Sequence, residues 1–411
     1  MLKDRDIQIL REVAQKYASY ALLPVQEEKR RLWRDHNEFR TARPMVLIDQ
    51  VCWKEINVDG ALTGRVEDPY WRGVEEDLLQ KIYSWEHMPV DMVLTPYVSV
   101  PKPLHNSGWG VGIVEDSIAL DQNANAASHA YHDVLSEEED IQKIAMPEWT
   151  LDTERMKQIR EEADVIFDGI IPYVMAGQGL HLGVWDRISE WRGVENCYID
   201  LLDRPEFIHA IMERLTQGVL HQIETMNRLG VYDNTSTITH CSHTFLDNLP
   251  EAGSAPEFGV TSQGWCFGMA QLFSSVSPEI TREFEVEYMN RLFPHFGAVY
   301  YGCCERLDDR LDVLEKLVNV RKISCSPWSD KESFAEKLPA RRIMSAKPNP
   351  AFLATQSFAE DAMREEIRMT IDAARRHGRN LEFILKDIST IRYDQARLWR
   401  WAEIAMEEVQ R

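Results

Sequence analysis

Two hydrophobic rhythms divide the chain. Over residues 4–39 apolar positions recur at helical spacing (Ile7, Leu10, Val13, Tyr17, Leu22, Leu23) amid dense charge, and Pro24 marks a break. This stretch reads as a helical extension. Residues 44–51 form a short apolar strand and 68–82 an amphipathic helix, and from Val90 the pattern changes. Residues 92–98 have the apolar density of a buried strand. Residues 101–149 are irregular and read as long loops or a small hairpin, with the acidic run 137–140 as solvated surface.

Beyond that segment the two rhythms alternate. Helices are predicted at 151–163, 205–229 (opened by Asp203 and Pro205), 278–293, 307–317, 359–377 (stopped by Gly378) and 393–409. Strands are predicted at 170–176, 235–240, 296–299, 320–324, 341–345 and 381–385. Repeated strand-helix units imply a parallel sheet, and their number fits a (β/α)8 TIM barrel with an N-terminal helical extension. On this reading residues 1–89 are the extension and residues 90–411 the barrel.

Composition narrows the classes of partner. A formal charge of −21 on 411 residues opposes nucleic acids, anionic membrane surfaces and bulky polyanions, while 44% hydrophobic residues support a sizeable core. Seven cysteines, an odd number with two adjacent, read as reduced thiols and not as a disulfide framework. The first residues lack an apolar signal core, and no apolar run approaches the roughly 20 residues of a membrane span. The expectation is a soluble, cytoplasmic protein.

Candidate chemistry gathers where strands end, which in a β/α barrel is the catalytic face. The strand at 296–299 runs into Tyr300-Tyr301-Gly302-Cys303-Cys304-Glu305, and the strand at 320–324 into Cys325-Ser326-Pro327-Trp328-Ser329-Asp330. Cys303 and Cys304 read either as thiolate ligands of a metal or as buried inert thiols. His240-Cys241-Ser242-His243 offers nitrogen and sulfur ligands for zinc, or simply polar turn residues. Trp265 and Phe267 can stack on a flat ligand, with Gln271 as a hydrogen-bonding end, or pack in the core. Lys347, and Lys386 beside Asp387, are an acid, an anion anchor or salt-bridge partners. Gly177-Gln178-Gly179-Leu180-His181-Leu182-Gly183 departs from the dinucleotide fingerprint in its third glycine and reads as a tight strand-to-helix turn.

Several of these segments carry a family likeness. Phe273-Ser274-Ser275-Val276-Ser277-Pro278-Glu279 leading into Phe284, Tyr288 and Leu292, the strand into Cys303-Cys304, and Asn319-Val320-Arg321-Lys322-Ile323-Ser324 resemble the uroporphyrinogen decarboxylase superfamily. That superfamily includes methyltransferases that exchange methyl groups with corrinoid proteins or coenzyme thiols. The likeness runs from about Val90 to the C-terminus and implies a β/α barrel with its site at the strand C-termini. In the zinc methyltransferases of the family a His-x-Cys and a later cysteine hold the metal. Here the matching place reads Tyr301-Gly302-Cys303 or Gly302-Cys303-Cys304, without the histidine, and the last strand ends in Lys386-Asp387-Ile388-Ser389, without the cysteine. A variant zinc site would use Cys303 or Cys304 with Glu305, Cys325 or His243. The arginine-rich Gln-Ala-Gly-Arg signature of the decarboxylases is absent, and Lys29, Arg30, Arg31 and Arg34 lie in an apparent helix instead.

The resemblance therefore implies a methyltransferase that moves a methyl group from a small methylated substrate to a corrinoid protein. Because no Asp-x-His-x-x-Gly corrinoid signature occurs in this chain, the corrinoid would be carried by a partner protein. The expected catalytic residues are Tyr301, Glu305, Lys386 and Asp387. Substrate would be bound by His240, His243, Trp265, Phe267, Gln271, Trp328 and Lys347, and a zinc ion by Cys303, Cys304 and Cys325. The alternatives are a decarboxylase of a smaller carboxylic acid, with Lys347 or Lys386 as anion anchor, and a non-catalytic ligand-binding barrel.

Overall fold

The computed structural model describes residues 2–40, 43–119, 127–250 and 258–411. Two helices, α1 (Asp4–Ala21) and α2 (Pro24–Asn37), precede the first strand, β1 (Met45–Ile48). There follow α3 (Pro69–His87), β2 (Val98–Pro101), α4 (Thr153–Phe167), β3 (Tyr173–Ala176), β4 (His181–Leu182), α5 (Val184–Arg192) and α6 (Pro205–Leu229). The later strands are β5 (Trp265–Gly268), β6 (Ala298–Tyr301), β7 (Val320–Cys325), β8 (Ile343–Ala346) and β9 (Leu381–Leu385); α7 (Glu360–Arg376) precedes β9 and α8 (Gln395–Val409) follows it.

Seven strands form one sheet in the order β1-β9-β8-β7-β6-β5-β4, and every neighbouring pair is parallel. β1 and β9, the first and last strands in sequence, are neighbours, so the segment expected as a helical extension contributes a strand to the main sheet. Among the described residues the strand ladder does not close. β2 and β3 form a separate parallel pair; ahead of β2, Asp91 N donates to Val46 O of β1, and beyond β3, Gln178 N donates to Val231 O and Asp233 N to Gln178 O. Gly177 is required at that crossing, because a Cβ there would lie 2.3 Å from the Val231 carbonyl oxygen.

Strands such as β6 and β9 are buried at every position, as parallel strands covered on both faces must be. The main core follows these strands and their helices; a second core joins the inner faces of α1, α3 and α4 to β2 and β3. Several expected elements take other forms. Residues 92–97 form no strand, because their amides bond side chains instead: Val93 N to His243 Nε2, Leu94 N to Gln26 Oε1 and Thr95 N to Tyr17 Oη. The strand expected at 235–240 shrinks to a two-residue rung of a hairpin, Ile238–Thr239 against Ser242–His243. The helix over 278–293 contains a π turn at Arg282–Val286, and the helix expected at 307–317 is limited to Leu311–Leu314. The acidic run lies in a 3-10 helix, Glu138–Lys143, with no buried residue. Residues 120–126 of the irregular segment lie outside the described residues.

Candidate functional site

Side chains of a strand alternate between its two faces, so register decides which sequence candidates meet. Phe267 of β5, Tyr300 of β6 and Lys322 of β7 are register neighbours across the sheet, and the inner face they share continues through Ser345 and Lys347 at β8 and Glu382 and Lys386 at β9. At the C-terminal edge of this face Lys347 Nζ donates to Tyr300 Oη and to Ser345 Oγ (3.0 Å), and Tyr300 Oη donates to Ser345 Oγ (2.6 Å). Lys347 is buried and forms no ion pair with a carboxylate among the described residues. Burial, reinforced by the nearby Lys386 charge, lowers it to about 8.

Lys386 sits beside it in a different setting. Its ammonium is 2.6 Å from Asp387 Oδ2, 3.4 Å from Cys303 Sγ and 3.7 Å from Cys304 Sγ. Burial works against its charge, yet the two sulfurs and the carboxylate hold it above the ordinary lysine range. The thiols themselves touch, Sγ to Sγ 3.3 Å, and Cys304 donates to Asp387 Oδ2 at 3.0 Å. Their hydrogen bond and then burial push the Cys304 thiol up. Gly302, at φ +88°, lets the chain turn so that adjacent residues present both sulfurs on one side.

A third wall is aromatic. Phe267 is sandwiched between His240 and His181, with ring centroids 3.7 and 4.7 Å away and planes within 8° of parallel. His240 Nε2 is buried without a hydrogen-bond partner, and burial followed by Lys347 and Lys386 lowers its pKa well below the usual histidine value. The imidazole is therefore neutral and has a nitrogen to spare. Cys241 follows it, its thiol pushed up by burial and by Asp49. Asp49, just past β1, lines a cavity of about 690 Å³ together with Ser99, Ala176, Thr237, Trp53 and Lys81. Lys347, Lys386, Cys303, Cys304, Tyr300, Phe267 and His240 do not line that cavity; Asp49, beside Cys241, is what connects the two.

Several expected residues do not meet here. Tyr301 points to the opposite face of β6, where it donates to Glu285 Oε1 (3.1 Å) and packs on Phe293; its neighbour Tyr300 takes the inward place. Glu305 folds back beneath the loop and accepts from Cys303 N (2.8 Å), beside Glu285 and Asp186 and away from Lys386. Burial pushes all three carboxyls up, Asp186 to about 7. His243 is fully buried with both nitrogens occupied, by Thr237 O and Val93 N, and burial takes it down to about 3. Trp265 opens β5 at its amino end, donates to Thr244 O and lines a separate cavity of about 210 Å³. Gln271 bonds Met269, and Trp328 is exposed. Phe267, His240, Lys347, Lys386, Asp387, Cys303 and Cys304 do assemble. Tyr300, Ser345, His181 and Asp49 join them without having been singled out; the signal for His181 was a histidine between glycines just past a strand.

Zinc finds no seat in this arrangement. Among the described residues no three His, Cys, Asp or Glu side chains converge so as to hold a metal ion. Cys325 points away from the thiol pair towards Lys331, Asp308 and Ser329, and burial pushes it up to about 12. The place between Cys303, Cys304 and Asp387 is taken by the Lys386 ammonium. Cys303 and Cys304 thus meet each other, and Cys325 does not join them.

No protein-family model matches the chain, and no curated protein matches it. Among solved structures it is similar to a methyltransferase from Methanosarcina mazei, with 11% identity, coverage of 92% of this chain and 97% of that one, and a TM-score of 0.49. A likeness at that level carries no argument about chemistry. No helix among the described residues is long and apolar enough to cross a membrane.

Proposed function

We propose that the C-terminal edge of the sheet is the active site of an enzyme that takes a methyl group from a small methylated compound and passes it to a corrinoid carried by a separate protein. The observation that carries this reading is Lys347, a buried amine held near 8 with hydroxyl groups as its hydrogen-bond partners. When a carbon-heteroatom bond to methyl breaks, the heteroatom gains electron density and needs a proton or a Lewis acid. An ammonium that titrates near 8 is mostly protonated at neutral pH and gives its proton up more readily than an ordinary lysine. Tyr300 and Ser345 orient it, and the spare nitrogen of His240 accepts a hydrogen bond from the substrate. The corrinoid supplies the nucleophile that receives the methyl group. The resemblance of residues 273–292 and 319–324 to the uroporphyrinogen decarboxylase superfamily supports the same reading, and the chain's lack of a corrinoid-binding signature is why the corrinoid is assigned to a separate protein. The architecture that goes with it is a closed (β/α)8 barrel. Seven free cysteines suit a reducing cytoplasm.

A second reading rests on two cations, Lys347 and Lys386, in one mouth: they could grip a carboxylate, and the reaction would then be decarboxylation of a small acid. One experiment divides the two. The protein is mixed with a carrier protein holding cob(I)alamin and with a panel of methoxylated, methylamine and thioether compounds, and absorbance is followed. Formation of methylcob(III)alamin that depends on the protein is the expected result. Release of carbon dioxide from a panel of carboxylic acids, with no spectral change, supports the second reading. Neither product means a barrel that binds a ligand without transforming it.

A further inference from the structure

Cys303 and Cys304 are the two cysteines whose sulfurs are in contact among the described residues. We infer that they form a modification site, a vicinal dithiol at the mouth that a low-molecular-weight disulfide oxidises reversibly to an internal disulfide. This inference does not depend on the methyl-transfer reading.

Four features carry it. The sulfurs are already in contact, 3.3 Å apart against the about 2.0 Å of a disulfide. Gly302 at φ +88° supplies the turn that brings adjacent side chains together. Cys304 is partly exposed and can be reached from solvent, whereas the other six cysteines are buried. Lys386 Nζ, within 3.7 Å of both sulfurs, offsets part of the Cys303 hydrogen bond and burial that push the Cys304 thiol up.

The step balances with an organic disulfide as oxidant. Cys304 gives up its proton and its sulfur attacks the disulfide, forming a mixed disulfide and expelling one thiolate. Cys303 gives up its proton and attacks the Cys304 sulfur, forming the internal bond and expelling the second thiolate. The two protons end on the two released thiols; the cysteines lose two electrons and the oxidant gains them. Neighbouring Cα atoms are about 3.8 Å apart, closer than the usual disulfide span, so the bond is readily reduced again and suits a reversible mark more than a permanent staple. Closing it ends the hydrogen bond from Cys304 to Asp387 and removes both S–H groups from around Lys386.

The test uses the reduced full-length chain and oxidised glutathione. Intact mass should fall by two hydrogens, peptide mapping should place the loss on the peptide holding Cys303 and Cys304, and dithiothreitol should restore it. Phenylarsine oxide, which bridges paired thiols, should bind once per chain to the native protein. That uptake should vanish in Cys303→Ser and in Cys304→Ser and persist in Cys325→Ser. A glutathione adduct that stays on Cys304 without an internal bond, or a disulfide to any other cysteine, overturns the inference. So does arsenical uptake that survives both serine substitutions. The mapping on the native protein decides even where a serine variant fails to fold.

Discussion

Lys347 is the residue on which the proposed chemistry turns, and its burial has two measurable consequences. The first is catalytic: Lys347→Met should lower kcat by about 100-fold or more, the scale of a general acid. The wild-type rate should decline as pH rises through about 8, where the amine loses its proton, and Lys347→Arg, which keeps its proton, should not show that decline. The second is stability. The folded pKa lies below the unfolded value of about 10.5, so the contribution is present in full above 10.5 and is lost as pH falls to about 8. The wild type should therefore gain stability relative to Lys347→Met between those limits in urea titrations. A flat difference across that window, together with an unchanged rate profile, would remove Lys347 from the site. At this scale the sequence was half legible. It identified Lys347, Lys386 and the thiol pair as sitting at strand ends, but it chose Tyr301 for the site, whereas Tyr300 is the tyrosine that meets Lys347. With a period of two, one of two adjacent tyrosines must face each side, and a single residue of register exchanges their roles.

Two elements were legible to the residue: the long helix α6 over 205–229 and the apolar run of β9 over 381–385 coincide with their patterns. Another apolar run was not. Residues 92–97 have the composition of a strand, but Gln26, Tyr17 and His243, distant in sequence, take up their amides, and no local pattern announces such partners. The loop after β6 is the clearest case, because Glu305 belongs to the loop's own framework. Its Oε2 holds the Cys303 amide, while its Oε1 is buried without a partner beside Glu285 and Asp186. Burial raises its pKa above the ordinary 4.5, so its contribution is present below 4.5 and is lost as pH rises through the folded value. Glu305→Gln keeps an acceptor for the amide and cannot ionise. It should match the wild type in melting temperature at low pH and exceed it increasingly as pH rises. Glu305→Ala, which leaves the amide unpaired and a void, should be less stable by about 2–4 kcal/mol. Equal melting temperatures for the wild type and the glutamine variant at every pH would contradict this account of the loop.

For the molecule as a whole, the inner face of the sheet is tied to the N-terminal helices by buried charge. Lys322 of β7 donates to Glu382 of β9 (2.8 Å), to Ser242 Oγ (2.7 Å) and to His243 O (3.0 Å). His36 of α2 lies 3.3 Å from the same carboxylate, and Trp33 lies beneath the ammonium. Burial alone would raise Glu382, but Lys322 and His36 hold it below the usual carboxylate range. Removing one partner strands the other: Lys322→Met should cost about 3–5 kcal/mol in urea denaturation, and Lys322→Met combined with Glu382→Leu should recover part of that loss. A double variant no better than the single would show that packing, and not charge, holds this region together. The pairing of β1 with β9 also bears on how the protein is made. The last residue of β1 precedes the first of β9 by 333 positions (381 minus 48), which at about 5–20 residues per second is roughly 20–70 s of translation. Throughout that interval the nascent chain carries an apolar strand whose neighbour has not yet been synthesised, and a free strand edge invites pairing with other chains. Slow ribosomes or crowded overexpression should therefore favour aggregates, and a chaperone that shields the first fifty residues until β9 emerges should raise the yield of folded protein.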